Sequence, residues 1–167
     1  MKVTLEKSGD YAVRSVLDLA LHYGAGRRKN REISEAMDVP SSYLAQLLAK
    51  LVRAGLVRAT AGQDGGYELA REPEHVSLLE VVEAVEETSM HECVLRGGPC
   101  RLDGTCAVHD AWSEAREALQ RQLGATSFAD IVTASRRPEA RTRLLPSRRD
   151  AAQAQRVVRT LPDVLPS

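Results

Sequence analysis

The order of amphipathic segments in the first seventy residues constrains the fold of this chain more than any other feature. Apolar residues recur at three- and four-residue spacing over residues 10–23, which predicts a helix. A short helix is predicted over residues 32–37, and a longer one from Ser41, its expected N-cap, to about residue 54. Pro40 separates these two helices, because proline disfavours helical backbone at the residue before it.

A β-hairpin is predicted directly after these helices. Two short segments, residues 56–60 and 67–69, flank the sequence Ala-Gly-Gln-Asp-Gly-Gly at residues 61–66, which is rich in turn-forming residues. Helix, helix, turn, helix and hairpin, in this order, is the plan of a winged helix-turn-helix domain. The hairpin would be its wing, and the helix that begins at Ser41 would be its recognition helix.

Further helices are predicted beyond the wing. Ser77 and Glu80 have the spacing of a capping box, at the start of a helix over residues 77–87. The apolar stripe over residues 106–123 is long for one helix on a small domain, so we interpret it as a dimerisation helix. The predicted fold class is therefore mainly α with a small β-hairpin wing (α+β), a winged helix-turn-helix domain plus a long dimerisation helix.

These elements divide the chain into three predicted parts. Residues 1–75 form the winged helix-turn-helix domain, and residues 76–133 hold a cluster-binding loop and the dimerisation helix. Residues 134–167 form an extension rich in Arg and Pro, which is expected to be disordered. The sequence has no apolar run long enough to span a membrane and no apolar core of a signal peptide, so we expect a cytoplasmic protein without membrane contact.

Charged residues are distributed unevenly, although the net charge of the chain is zero. Residues 1–71 contain eleven Lys and Arg against eight Asp and Glu, a net charge of +3. Residues 72–135 contain four against twelve, a net of −8, and residues 136–167 contain eight against three, a net of +5. Local potential decides which partner is attracted, so the basic first part is compatible with double-stranded DNA.

The recognition helix and its surroundings supply the candidate DNA contacts. Ser41, Ser42 and Tyr43 open the helix that would enter the major groove. Gln46 is suited to read adenine, and Lys50 is better suited to phosphate. The wing glycines would let backbone amides approach a phosphate or enter the minor groove, and the basic run before the second helix would contact the backbone. The candidate DNA-binding residues are Arg28, Lys29, Arg31, Ser41, Ser42, Tyr43, Gln46, Lys50, Gly65 and Gly66.

Three cysteines, Cys93, Cys100 and Cys106, suit a metal site better than a disulfide framework. Gaps of six and five residues, with glycines between them, favour an iron–sulfur cluster over the close cysteine pairs of a zinc site. Zinc and bare redox thiols remain alternatives. Three thiolates leave one coordination position open. The candidate fourth ligands are His109, one helical turn after Cys106, and Asp10 from the partner subunit of a dimer.

Several segments of the chain occur together in one known family. They are Gly-Asp-Tyr-Ala-Val-Arg at 9–14, Val-Pro-Ser-Ser-Tyr-Leu-Ala-Gln-Leu-Leu at 39–48, Leu-Val-Arg-Ala-Gly-Leu-Val at 51–57, Gly-Gly-Tyr-Glu-Leu at 65–69, the three cysteines, and Asp-Ile-Val at 130–132. With them the chain resembles the Rrf2-type winged-helix regulators, the family that includes IscR, NsrR and RirA. The resemblance covers residues 1 to about 133, and it implies a homodimer that binds an imperfect palindrome of double-stranded DNA.

The resemblance also implies an iron–sulfur cluster held by the three cysteines and a fourth ligand. In IscR-like members that ligand is a His matching His109, and in NsrR-like members it is an Asp of the other subunit matching Asp10. Both residues are present, so a 2Fe-2S cluster with His109 and a 4Fe-4S cluster with Asp10 both stay open. The chain departs from the family pattern in a longer first cysteine gap, in Ala45 where IscR-like members have Glu, and in Ala61 where many members have Arg.

The predicted function is a dimeric DNA-binding transcriptional regulator. An iron–sulfur cluster that senses nitric oxide, redox stress or iron status would control its operator affinity. One alternative is a winged-helix DNA binder with a structural zinc or a thiol redox switch, and another is a protein-docking winged helix without an operator. The sequence contains no recognisable nucleophile–base pair and no phosphate loop, so we do not expect an enzyme.

Overall fold

The computed structural model describes residues 5–86 and 107–136. The chain divides into two compact units, Met1–Val132 and Thr133–Ser167. Cys93, Cys100 and Cys106, the predicted cluster ligands, lie outside the described residues. Residues 134–167 were predicted to be disordered; residues 134 and 135 instead belong to a helix that ends at Ser135, and residues 137–167 lie outside the described residues. The predicted domain boundary after residue 75 stays a prediction.

Three helices and a hairpin come first along the chain. They are α1 (Lys7–Leu21), α2 (Asn30–Met37), α3 (Ser41–Arg53), β1 (Val57–Thr60) and β2 (Gly66–Leu69). A short 3-10 turn and three helices follow, which are Pro73–His75, α4 (Leu78–Glu83), α5 (Ala107–Ala125) and α6 (Phe128–Ser135). This order confirms the predicted fold class, mainly α with a small hairpin wing.

The helix starts differ from the predicted ones. Helix α1 begins at Lys7 with Glu6 as its N-cap, so Asp10 lies within the first turn. Helix α2 begins at Asn30 rather than at residue 32. The predicted cap at Ser41 is wrong, because Pro40 is the N-cap of α3 and its carbonyl oxygen accepts the first intrahelical hydrogen bonds.

A single hydrophobic core fixes the recognition helix α3 to the rest of the fold. Val16 of α1, Ile33 of α2 and Leu48 of α3 are all fully buried in it. Val81 of α4 and Phe128 of α6 are fully buried in the same core. Each such side chain contributes about 1.5–3 kcal/mol of burial free energy, so α3 is held from several directions at once.

The wing is a two-stranded antiparallel sheet in which Val57 lies opposite Leu69 and Thr60 lies opposite Gly66. Val57 and Leu69 are buried, so the base of the wing belongs to the core. Arg58 and Ala59, the two residues that follow Val57 in β1, are exposed. The base of the hairpin is therefore fixed, while its loop end projects from the core.

Arg28 connects the wing to α1. Its backbone pairs with Tyr67, N–H to carbonyl oxygen, at 2.8 Å in both directions. Its guanidinium donates to the carboxylate of Asp18, with Nε 2.9 Å from Oδ2 and Nη2 3.2 Å from Oδ1. The Asp18 side chain is only 1% exposed, and its hydrogen bond raises the pKa of Arg28 above the usual value. One arginine thus joins the wing to a buried carboxylate in α1.

The predicted capping box at the start of α4 is confirmed. The Ser77 hydroxyl accepts the Glu80 amide at 3.2 Å, and the Glu80 carboxylate accepts the Ser77 amide at 2.9 Å. The amide of Phe128 donates to the carbonyl oxygen of Val76 at 2.9 Å, which holds the start of α6 against the start of α4. Within the described residues, no helix has the length and apolar character needed to cross a membrane.

Candidate DNA-binding surface

The recognition helix α3 has one buried face and one exposed face. Leu44, Leu47, Leu48 and Leu51 are buried, as their spacing predicts. At 100° per residue, the opposite face carries Ser42, Ala45, Gln46, Ala49 and Arg53, all of them exposed. We call these five residues the reading stripe.

The reading stripe differs in part from the predicted DNA contacts. Ser42 and Gln46 were predicted from their chemical type and lie on it, with Ser41 at its edge. Ala45, Ala49 and Arg53 were not among the predicted contacts and share this exposed face, as the helical angle between them and the buried leucines implies. Small side chains on this face would allow close approach to base edges, and Gln46 supplies the side-chain amide that can pair with adenine.

Tyr43 and Lys50 lie beside the reading stripe and make contacts within the chain. The ring of Tyr43 packs edge-on against Tyr11 of α1, with 5.6 Å between ring centroids and an interplanar angle of 70°. The Lys50 ammonium donates to the carbonyl oxygen of Val85 at 3.1 Å. The two residues are seven apart and hence on one side of α3. Both residues are nevertheless exposed to solvent, Tyr43 by 38%, and direct DNA contact by either residue stays a prediction.

The loop end of the wing is shaped by two glycines. A Cβ on Gly65 would lie 2.2 Å from the carbonyl oxygen of Thr60, which no side chain tolerates. A Cβ on Gly66, whose φ is 151°, would lie 2.7 Å from the carbonyl oxygen of Arg28. Both positions therefore require glycine for the wing itself, whatever they contact in DNA. Their predicted contact with DNA stays a prediction.

The basic residues at the start of α2, Arg28, Lys29 and Arg31, make three different contacts. The guanidinium of Arg28 is engaged with Asp18, so little of it is left for a phosphate. The Lys29 ammonium donates to the carbonyl oxygen of Gln63 in the wing loop, which holds that loop beside the start of α2. Arg31 is exposed and pairs with Glu35 at 2.7 Å, and this hydrogen bond raises its pKa. Lys29 and Arg31 remain on the surface as candidate phosphate contacts.

Asp10, a candidate fourth ligand, is held by an arginine of its own helix. Arg14 donates to both carboxylate oxygens, with Nε 2.9 Å from Oδ1 and Nη2 2.7 Å from Oδ2. The same guanidinium reaches the carbonyl oxygen of Met37 at 3.5 Å, at the end of α2. It also lies 5.9 Å from the ring centroid of Tyr11. The first turn of α1 is thereby connected with the turn of the helix-turn-helix.

His109, the rival fourth ligand, lies half-buried in the first turns of α5. The structure does not place it next to Asp10 in any contact among the described residues. Since Cys93, Cys100 and Cys106 lie outside that part of the chain, the choice between Asp10 and His109 stays open.

The apolar stripe of α5 is largely exposed. Val108, Trp112 and Leu119 are 44%, 37% and 42% exposed, respectively. They lie on one side of the helix at spacings of four and seven residues. A single chain thus leaves apolar surface of α5 open to solvent over several turns, as expected of a helix that packs against a partner.

The sequence was compared with known families and proteins. The family Rrf2, described as iron-dependent transcriptional regulator, matches residues 5–134. A putative HTH-type transcriptional regulator of Azotobacter vinelandii is 38% identical over 132 residues, which cover 78% of this chain and 80% of the relative. IscR of Xenorhabdus nematophila is 35% identical over 129 residues, which cover 77% of this chain and 78% of the relative.

Solved structures with the same fold include two regulators. T. potens IscR superposes with a TM-score of 0.66 at 28% identity, over 80% of this chain and 88% of that one. CymR, the global cysteine regulator of B. subtilis, superposes with a TM-score of 0.68 at 24% identity, over 79% of this chain and 98% of that one. At that identity the likeness to CymR concerns the fold alone. The extension beyond residue 134 lies outside the family match.

Proposed function

The chain belongs to the Rrf2 family of DNA-binding transcriptional regulators, and we propose that an iron–sulfur cluster controls how tightly it binds its operator. It is a regulator and not an enzyme, as the sequence predicted. The observation that carries the proposal is the contact of Arg14 with both Asp10 and Met37. It joins a candidate cluster ligand to the turn that precedes the recognition helix.

We propose that α3 enters the major groove with its reading stripe against the base edges. Gln46 would pair with a base, and Arg53 would contact a phosphate from the end of the same stripe. Lys29, Arg31 and the wing loop would contact the backbone on either side. The exposed face of α3 lies opposite its buried leucines, so the helix can enter a groove without disturbing the core.

The operator is proposed to be an imperfect palindrome bound by a homodimer. The exposed apolar stripe of α5 supports this, because a second copy of the same helix would cover Val108, Trp112 and Leu119. A two-fold axis through that contact would present two reading stripes to two half-sites of one duplex.

The donor set fits an iron–sulfur cluster in its chemistry. Cys93, Cys100 and Cys106 supply three thiolates, the usual ligands of such clusters. The fourth ligand would be the Asp10 carboxylate, 43% exposed at the first turn of α1, or the His109 imidazole. A cluster bound there would supply a centre that reacts with nitric oxide and oxidants and depends on the iron supply.

Contacts among the described residues suggest how a change at Asp10 would alter the position of the recognition helix. Arg14 binds the Asp10 carboxylate and reaches the carbonyl oxygen of Met37, where α2 ends. Tyr11, the neighbour of Asp10, packs on Tyr43 in the first turn of α3. A displacement of the first turn of α1 would therefore reach both the turn and the start of α3. A regulator needs such a difference in operator affinity between its two states.

The cluster is tested on protein purified without oxygen, by measuring iron and acid-labile sulfide per chain and the visible spectrum. We expect iron and sulfide in similar amounts, with charge-transfer absorption. Asp10→Ala and His109→Ala form a matched pair, and the substitution that changes the spectrum identifies the fourth ligand. Zinc in place of iron, or colourless protein after cluster reconstitution, would contradict the proposal and leave a DNA binder with a zinc or thiol switch.

The reading stripe is tested with an operator selected from random duplexes by the unmodified protein. Gln46→Ala should lower affinity by about 1–3 kcal/mol on the selected operator and relax the base preference at one position of each half-site. Arg31→Ala is the contrast, because loss of a phosphate contact weakens binding to all sequences alike. If no sequence is enriched in the selection, the chain is a protein-docking winged helix instead.

A further inference from the structure

The two residues that lead into the cysteine segment are held by two different helices. Glu86 is the last described residue before residues 87–106, which contain all three cysteines. Its carboxylate accepts the amide hydrogen of Glu6, the N-cap of α1, at 2.9 Å. A Cβ on Gly9 would lie 2.1 Å from that carboxylate oxygen, so the buried Gly9 makes room for it. The entrance of the cysteine segment is thus docked on the first turn of α1, beside Asp10.

The neighbouring residue is held by the recognition helix. The carbonyl oxygen of Val85 accepts a hydrogen bond from the Lys50 ammonium at 3.1 Å, and this contact is part-buried. Val85 itself is 5% exposed and belongs to the core. Lys50 is therefore a side chain of α3 that contacts Val85, two residues before the cysteine segment begins.

We propose that Lys50 is a positioning residue that couples the cysteine segment to the recognition helix, rather than a contact to DNA phosphate. A displacement of Val85 or Glu86, the residues that precede the cysteine segment, would be transmitted to α3 by Lys50. This connection between the cysteine segment and α3 is separate from the one through Asp10 and Arg14, because it involves different residues. The proposed coupling depends on the proposed control by a cluster. The proposal that Lys50 does not contact a DNA phosphate is independent of that control.

The helical geometry separates Lys50 from the cation that does face the DNA. Arg53 lies on the reading stripe, opposite the buried leucines, while Lys50 lies on the side of Tyr43. Both are basic residues in the last turn of α3, so they form a matched pair. A lost phosphate contact lowers the slope of log K against log salt by about 0.9. A lost positioning contact leaves this slope unchanged.

The experiment measures binding to the selected operator over a range of salt, for protein with its cluster and for the same protein after iron removal. Arg53→Met removes one proposed phosphate contact from each chain of the dimer, so it should reduce the magnitude of the salt slope by about 1.8 in both states and keep the affinity ratio between them. Lys50→Met should leave the salt slope unchanged. It should bring the ratio of the operator affinities with and without the cluster at least threefold closer to one. Lys50→Arg, which retains a donor, should restore the ratio. Circular dichroism verifies that each variant is folded.

A variant outside α3 makes the same prediction. Glu86→Ala removes the contact with the start of α1 and should reduce the affinity ratio as Lys50→Met does, with an unchanged salt slope. A salt slope whose magnitude falls by about 1.8 in Lys50→Met would show a phosphate contact of each chain and overturn the proposal. An unchanged ratio in both variants would also overturn it. Equal affinities of the two states in the unmodified protein would instead refute control by the cluster, and the salt slope would still decide the placement of Lys50.

Discussion

Replacing Arg28 by Met should destabilise the protein far more than replacing its neighbour Arg27 by Met. Arg28 is the guanidinium partner of Asp18, whose side chain is 1% exposed. Methionine keeps the apolar stem of Arg28 but leaves this carboxylate without its counter-charge. Arg27 is 41% exposed and lies 3.5 Å from Glu68, in an ion pair open to water.

The magnitude follows from the burial of the two pairs. Removing one partner of a buried ion pair costs about 3–5 kcal/mol. Arg28 itself is 20% exposed, so water reaches the pair and we expect the lower end, about 3 kcal/mol. That corresponds to a fall of roughly 10 °C in melting temperature for a domain of this size. An exposed pair contributes less, and Arg27→Met should cost below about 0.5 kcal/mol.

The assay is urea unfolding followed by circular dichroism. Asp18→Asn in the Arg28→Met background should recover at least about 1 kcal/mol, because the buried charge is gone. A cost below about 1 kcal/mol for Arg28→Met, or one equal to that of Arg27→Met, would refute the reasoning.

Three further predictions concern the wing, the capping box and α5. Gly65→Ala should distort the wing, because the alanine Cβ would lie 2.2 Å from the carbonyl oxygen of Thr60. Operator affinity, measured by gel shift, should therefore fall. Unchanged affinity would count against the wing as a DNA contact. Burial alone would raise the pKa of Glu80, but hydrogen bonds from Ser77 and Arg71 lower it below its ordinary value of 4.5. The ionised Glu80 therefore stabilises the fold fully above pH 4.5, and this contribution is lost as the pH falls through the lowered pKa. Glu80→Gln should thus cost below about 1 kcal/mol at pH 7 in chemical unfolding, and a deficit that persists at the most acidic pH would speak against this origin. Trp112→Glu should yield monomers in sedimentation experiments, with Glu117→Gln on the same helix as a dimeric control, and a dimeric Trp112→Glu protein would place the interface elsewhere.

The winged-helix order could be predicted because it depends on local signals. Leucines at 44, 47, 48 and 51 mark the buried face of α3, and Gly62 with its neighbours marks the hairpin turn. The same spacing also implies the reading stripe, because it defines the face opposite the leucines. Chemical type alone does not point to Ala45 or Ala49, since alanine has no polar group, and it does not distinguish Arg53 from the other cations of the chain.

The tasks of the individual cations could not be predicted, because they depend on partners far away along the chain. Arg28 bonds to Asp18 ten residues earlier, and Lys50 bonds to Val85 thirty-five residues later. The sequence alone does not distinguish Arg28 and Lys50 from Arg53, since all three are basic. Their different contacts are seen only in the folded structure. Gly9 is a similar case, because the carboxylate that lies against it comes from Glu86, far away along the chain.

The proposed dependence of operator affinity on the cluster can be measured in one experiment. Fluorescence anisotropy on the selected operator, at one fixed salt concentration, compares a single oxygen-free preparation before and after iron removal. We expect at least a tenfold difference in Kd, which corresponds to about 1.4 kcal/mol. Equal Kd values, within twofold, would contradict it, whatever metal the three cysteines hold.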